Sequence, residues 1–78
     1  MADLNGTPQT ITEGTYNIFV EAGTGTAVIL YSVGGLGAQP INGASYAKDG
    51  SDNYRLPACD VHAVLTGTAV AKINTVGG

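Results

Sequence analysis

Cys59 and His62 are the single thiol and the single imidazole of this chain, and they stand three residues apart. Paired, they could make a nucleophile with its base, or half of a metal site. The spacing opposes this, because positions i and i+3 of an extended strand project to opposite faces. Cys59 therefore reads as a small packing residue, and His62 as a solvated or interface side chain. No base, nucleophile and electrophile assemble from this inventory, so the chain is not expected to be an enzyme, and no cofactor or metal is expected.

Other stretches invite chemistry and lack a part. Gly23-Thr24-Gly25 and Gly34-Gly35-Leu36-Gly37 each look like a fragment of a phosphate loop. Neither leads into a helix or a lysine that would supply donors and charge, and both read as turns. Asp49-Gly50-Ser51-Asp52-Asn53 lacks the terminal glutamate that closes a calcium loop, which leaves at most a weak surface ion site. Of Tyr16, Tyr31, Tyr46 and Tyr54, the first two are expected to pair across strands. Tyr46 and Tyr54 remain as a platform for a sugar ring or as anchors of an interface.

Charge narrows the partners. The net charge is −3, and the three basic residues, Lys48, Arg55 and Lys72, are scattered. A nucleic-acid site needs a basic stripe to displace counterions, so no nucleic acid is expected. Charged residues make up 12% of the chain, against about 25% in an ordinary soluble domain. Such a surface suits a protein covered by neighbours, although a short secreted domain with a threonine-rich surface is the simpler reading. Size agrees with the first view: a chain this short buries only about 60% of its unfolded surface. One cysteine and one histidine cannot build a disulfide or metal staple within a copy, so oligomerisation or docking is the expected support. The opening Met1-Ala2-Asp3-Leu4 has neither a basic start nor an apolar segment, and no apolar run approaches a membrane span. A soluble protein made in a cytoplasm, without a membrane partner, is expected.

The elements that position these residues read as strands. Gly, Pro, Asn and Asp recur at short intervals, and no apolar stripe of helical spacing persists. The expectation is an all-β fold, a small antiparallel β-sandwich or barrel of about six to eight short strands. An extended N-terminal arm over residues 1–12 would precede a single small β-domain over residues 13–78. Arms of this kind reach a neighbour.

Thr-Gly-Thr-Ala-Val occurs twice, at Thr24–Val28 and Thr66–Val70, each after an apolar run, and both copies read as β-hairpin turns. In the first hairpin Val20 would face Ala27, Ile18 face Ile29, and Tyr16 face Tyr31. Phe19, Val28 and Leu30 would then share the opposite face and form a second contact layer. Residues 34–43 read as a loop, and Ala44–Lys48 and Asn53–Leu56 as a hairpin about Asp49-Gly50, ended by Pro57. In the last hairpin, Cys59–Leu65 with Ala69–Asn74, Leu65 would face Ala69, Ala63 face Ala71, and Val61 face Ile73. Asp60, His62, Lys72 and Asn74 would point outward. A slip of one residue would exchange the faces.

The order Gly14–Val20, Gly25–Leu30, Asp49-Gly50 and Tyr54–Gly67, with its distinctive Leu56-Pro57-Ala58-Cys59 followed by Val61-x-Ala63-Val64, resembles the small all-β virion proteins of tailed bacteriophages. The capsid decoration or cement proteins are the nearest class. Where that stretch more usually has a basic residue before the alanine, this chain has His62. The resemblance implies a protein made in the bacterial host cytoplasm that binds the outer face of the capsid. Its partners would be the major capsid protein and its own copies, as a homo-oligomer with a trimer favoured. The expected contacts are Leu4, Pro8, Thr10, Ile11, Phe19, Val28, Leu30, Tyr46 and Tyr54. A tail, neck or head-fibre component, and a carbohydrate-binding surface module, are the alternatives.

Overall fold

The computed structural model describes residues 2–76. Eight strands make two four-stranded antiparallel sheets: β1 (Ala2–Leu4), β2 (Gln9–Ile11), β3 (Gly14–Glu21), β4 (Ala27–Ser32), β5 (Gln39–Tyr46), β6 (Gly50–Leu56), β7 (Cys59–Leu65) and β8 (Val70–Thr75). The first sheet has the order β1-β8-β3-β6 and the second β2-β7-β4-β5. Among the described residues there is no helix. Of the all-β sandwich or barrel expected from the sequence, the fold is the sandwich.

Alternation sets what lies between the sheets. Tyr16, Ile18 and Val20 of β3, Ala27 and Ile29 of β4, Val61 and Ala63 of β7, and Ala71 and Ile73 of β8 are all buried. Ile18, Val20, Ile29, Val61 and Leu4 are almost wholly sequestered, and each such side chain contributes about 1.5–3 kcal/mol relative to exposure. These inward sets are the ones the sequence predicts.

The pairing differs from the expectation. β3 pairs with β6 and β8, whereas β4 pairs with β5 and β7. Tyr16–Glu21 and Ala27–Ser32 therefore belong to different sheets, and their connection is an arch over the core. Cys59–Leu65 and Val70–Thr75 are joined by a second arch, and β5 and β6 by a third. In fact every connection among the described residues crosses between sheets except β4 to β5, whose loop closes with the Leu36 amide donating to the Val33 carbonyl at 3.1 Å. The predicted partners Ile18 and Ile29, or Val61 and Ile73, stand on opposite sheets. β5 also starts earlier than predicted and takes in Pro40 and Ile41, with a register shift against β4 between Val28 and Leu30.

The segment read as an arm is part of the sandwich. β1 adds to the edge of the first sheet beside β8, and β2 to the edge of the second beside β7. Leu4 sits at 1% exposure, and Ile11 packs against the core. A lone leucine in a polar stretch carries no periodic signal, so its burial could not be read locally. Met1 lies outside the described residues.

The two Thr-Gly-Thr segments meet each other. The Thr26 amide donates to Thr66 Oγ1 at 2.8 Å, and the Thr24 amide donates to Thr68 Oγ1 at 3.0 Å. Gly25 lies so close to Thr66 that an added Cβ would strike the Thr66 carbonyl oxygen, and Gly67 has φ +58° with its Cβ position 2.9 Å from the Gly25 Cα. Glycine is required at both positions, by close approach at Gly25 and by close approach together with a left-handed backbone at Gly67. The repeat seen in the sequence thus becomes a clasp that ties the arches together.

That clasp lies on an internal pseudo-two-fold relation. Exchanging β1 with β5, β2 with β6, β3 with β7 and β4 with β8 turns the order of the first sheet into that of the second, read from its other edge. Registers follow the exchange: Leu30 opposite His62 corresponds to Lys72 opposite Phe19, and Val28 opposite Val64 corresponds to Val70 opposite Glu21.

Candidate functional site

Two places on this framework gather side chains: the outer face of the second sheet, and the seam where β5 meets β6.

The outer face of a sheet is built from the residues that alternate with the core. On β4 these are Val28 and Leu30, and on β7 they are Asp60, His62 and Val64. Val28 stands directly opposite Val64 and Leu30 opposite His62, which makes an apolar cross-strand patch with one imidazole. Val64 is 51% exposed. Charge is nearly absent here. Asp60 is the single Asp, Glu, Lys or Arg on the strands of the second sheet, and its carboxylate accepts the Thr10 hydroxyl at 2.7 Å. The strands of the first sheet carry Asp3, Glu21, Asp52, Arg55 and Lys72. The pseudo-symmetry makes the contrast position by position: Leu30 corresponds to Lys72, and Val64 to Glu21. Matched backbones therefore differ in charge: the first sheet's outer face sets Glu21 and Lys72 beside exposed Phe19 and Val70, and the second sets Val28, Leu30 and Val64 beside His62, with Asp60 its single carboxylate.

The predicted contacts divide over this geometry. Val28 and Leu30 share the patch, and Thr10 lies on the neighbouring edge strand. Phe19, 40% exposed, is on β3 of the other sheet. Phe19 therefore cannot form one layer with Val28 and Leu30, a correction that follows from the arch replacing the hairpin. Pro8 is exposed between β1 and β2. Leu4 and Tyr46 are core residues, at 1% and 8% exposure, and are not available to a partner. Val64 was missed by the sequence reading. Its signal was available: an apolar residue on the outward phase of a strand whose inward phase is already apolar.

At the seam, Tyr46 is held by its hydroxyl, which donates to Asp52 Oδ2 at 2.8 Å and lies 2.8 Å from the Tyr54 hydroxyl. The Tyr54 hydroxyl has one proton for two acceptors, the Tyr46 oxygen at 2.8 Å and the Gly43 carbonyl at 3.2 Å. Burial, followed by the hydrogen bonds to Tyr54 and Asp52, holds the Tyr46 phenol well above the ordinary tyrosine range. The exposed sugar platform expected of Tyr46 and Tyr54 is thus not formed, since Tyr46 packs inward. Tyr54 instead lines a cavity of about 330 Å³ with Tyr31, Ile41, Asn42, Arg55 and Pro57. A second hollow of about 200 Å³ continues from Tyr31 past Leu36 and Gln39.

Cys59 and His62 do not meet. Cys59 is buried, and burial followed by the neighbouring Asp60 charge pushes its thiol up. His62 occupies the outward phase of the same strand. Among the described residues, no group of three or more His, Cys, Asp or Glu side chains is placed to hold a metal. Comparison with protein-family models, with curated proteins and with solved structures finds no match.

Proposed function

We propose that this chain is a structural protein of a bacteriophage virion, a capsid decoration or cement protein that docks its second sheet on the outer surface of the shell. One observation carries the reading: two sheets built on matching strands differ in charge, and the one poor in charge offers Val28, Leu30 and Val64 at its centre. A face made for water has no reason to lack ions where its counterpart has them, whereas a face that dries on docking loses energy for every charge it buries. The first sheet, with Asp3, Glu21, Arg55 and Lys72, then faces solvent.

The patch is small, so each copy supplies a modest contact. Many copies on one shell stabilise it by mass action, and association into trimers multiplies the contact through avidity. The major capsid protein is the partner, no catalytic step is required, and the chain resides on the virion exterior.

Cosedimentation of the purified chain with shells of its cognate major capsid protein tests the reading. Binding is expected for the native chain and for Lys72→Gln, and is expected to be lost in Val64→Lys and Leu30→Lys. Failure of the native chain to sediment with shells, or equal binding by the Lys variants, overturns it.

A further inference from the structure

We propose that copies of this chain associate by exchanging halves: β1–β4 of one copy complete a sandwich with β5–β8 of another, and the smallest closed product is an intertwined dimer. The inference is separate from shell docking, which uses the outer face of the second sheet.

It follows from where the strand ladders run. The chain divides at the β4–β5 loop into a first half, β1–β4, and a second, β5–β8. All six pairings of the two sheets, β1 with β8, β2 with β7, β3 with β6 and β8, and β4 with β5 and β7, join one half to the other. Among the described residues, no two strands of the same half are hydrogen-bonded neighbours. Each half therefore leaves its backbone amides and carbonyls without strand partners until the other half arrives. Side-chain ties cross the same division: Lys72 donates to Asp3 at 2.6 Å, Asn17 to Ser51 at 2.8 Å and Thr10 to Asp60 at 2.7 Å.

A second copy carries the same halves and can supply every one of these partners. The pseudo-two-fold relates the two halves, so each already interleaves with a segment built like itself. Synthesis order favours a neighbour as well, since β1–β4 emerge first and have no ladder to form until β5–β8 follow.

One connection keeps the pairing within a chain, and it is a weak constraint. Residues 33–38 include three glycines. Gly34 and Gly35 have φ +62° and +78°, with nothing within 4 Å of their Cβ positions. Leu36 is 73% exposed. The loop closes through the Leu36 amide on the Val33 carbonyl and the Ser32 hydroxyl on the Leu36 carbonyl, each at 3.1 Å. The ladder beside it is thin, because β4 and β5 shift register between Val28 and Leu30, and Leu30 stands opposite Pro40, which has no amide to donate. Opening the loop loses these two hydrogen bonds, while the ladders re-form with the neighbour. Six extended residues span about 20 Å, enough to set apart two sandwiches whose shortest extent is 19 Å.

Refolding the full chain at about 1 mM and at about 10 μM, then sizing both at one dilution, tests the proposal, since a short flexible linker holds its ends at a millimolar effective concentration. A dimer is expected from the concentrated sample, with about a tenfold smaller fraction from the dilute one. It should persist for hours after dilution, because release requires unfolding a whole sandwich. In a dimer refolded from equal parts ¹³C-labelled and unlabelled chain, isotope-filtered NOEs between Ile18 and Ile73, opposite each other on β3 and β8, should be intermolecular. Deleting residues 33–38 leaves Ser32 alone between Tyr31 and Gln39, too little for a hairpin turn, and should give a folded dimer at both concentrations. The proposal is overturned if the concentrated native chain refolds only to monomer, if its dimer returns to monomer within minutes of dilution, if the Ile18–Ile73 contacts stay within one chain, or if the deletion variant folds as a monomer. Val64→Lys, which is expected to abolish shell docking, should leave the exchange unchanged, so failure here and failure of shell docking are separately visible.

Discussion

Thr26 and Thr66 hold each other through both backbone and side chain: the Thr66 amide donates to the Thr26 carbonyl at 2.9 Å, the Thr26 amide donates to Thr66 Oγ1 at 2.8 Å, and the two hydroxyls lie 2.9 Å apart. Thr24 and Thr68 repeat the hydroxyl pairing at 3.2 Å. The residues between them are glycines because the backbones touch. The two arches are thereby tied to one another.

Gly25→Ala is the sharpest probe of that contact. The new methyl would collide with the Thr66 carbonyl oxygen, and backbone cannot rotate away as a side chain can, so a loss of about 1–3 kcal/mol is expected in urea unfolding. Thr66→Ala, which takes only the hydroxyl, should cost about 0.5–1.5 kcal/mol. A Gly25→Ala variant as stable as the native chain would contradict the clasp.

Adjacent residues of β4 should behave in opposite ways. Ile29 is fully buried, and Ile29→Ala is expected to remove about 2–5 kcal/mol, most of the stability of a domain this size. Leu30 faces outward, and Leu30→Ser should shift the unfolding midpoint by less than about 1 kcal/mol. Thermal melts of the two variants read the difference directly.

The Tyr46 hydroxyl should matter more than its neighbours suggest. Tyr46→Phe leaves Asp52 and Tyr54 without their shared partner and should cost about 0.5–1.5 kcal/mol. The phenol is held above its ordinary value of 10.0 in the fold, so the unfolded chain loses this proton first. Its contribution is complete below pH 10 and declines as the pH rises above it. Unfolding measured across that range should show a steeper loss for the native chain than for Tyr46→Phe.

Asp3 should titrate below its ordinary value of 3.8, because it accepts a hydrogen bond from the Lys72 ammonium at 2.6 Å and lies in its field. A carboxylate depressed in the fold supports β1 pairing above pH 3.8, and that support fades as the pH falls through the lowered value. Carboxyl titration by NMR checks the direction, and Lys72→Met should return Asp3 toward 3.8. Both groups are solvent-exposed, so added salt should shrink the shift.

Some of the candidate surface was readable and some was not. Val28 and Leu30 stood out as apolar residues on an outward phase, and they do lie on the outer face of the second sheet. Val64 gave the same signal in β7. Tyr54 gave less: its hydrogen bond to Tyr46 depends on β6 facing β5 across the open edge, a relation between strands of different sheets.

The amino-acid sequence by itself determined which side chains point inward. Alternation is a local property of an extended backbone, so Ile18, Val20, Ile29, Val61, Ala63 and Ile73 are readable as core from their spacing. Only the tertiary structure decided how those strands combine. A hairpin and an arch bring the same inward residues together, one side by side along a sheet and the other face to face across the core, and both satisfy the local pattern. The choice is made where backbone amides find partners distant in the chain, β3 with β6 and β8, β4 with β7. That choice sends Phe19 to one outer face and Leu30 to the other, and draws Leu4 into the core.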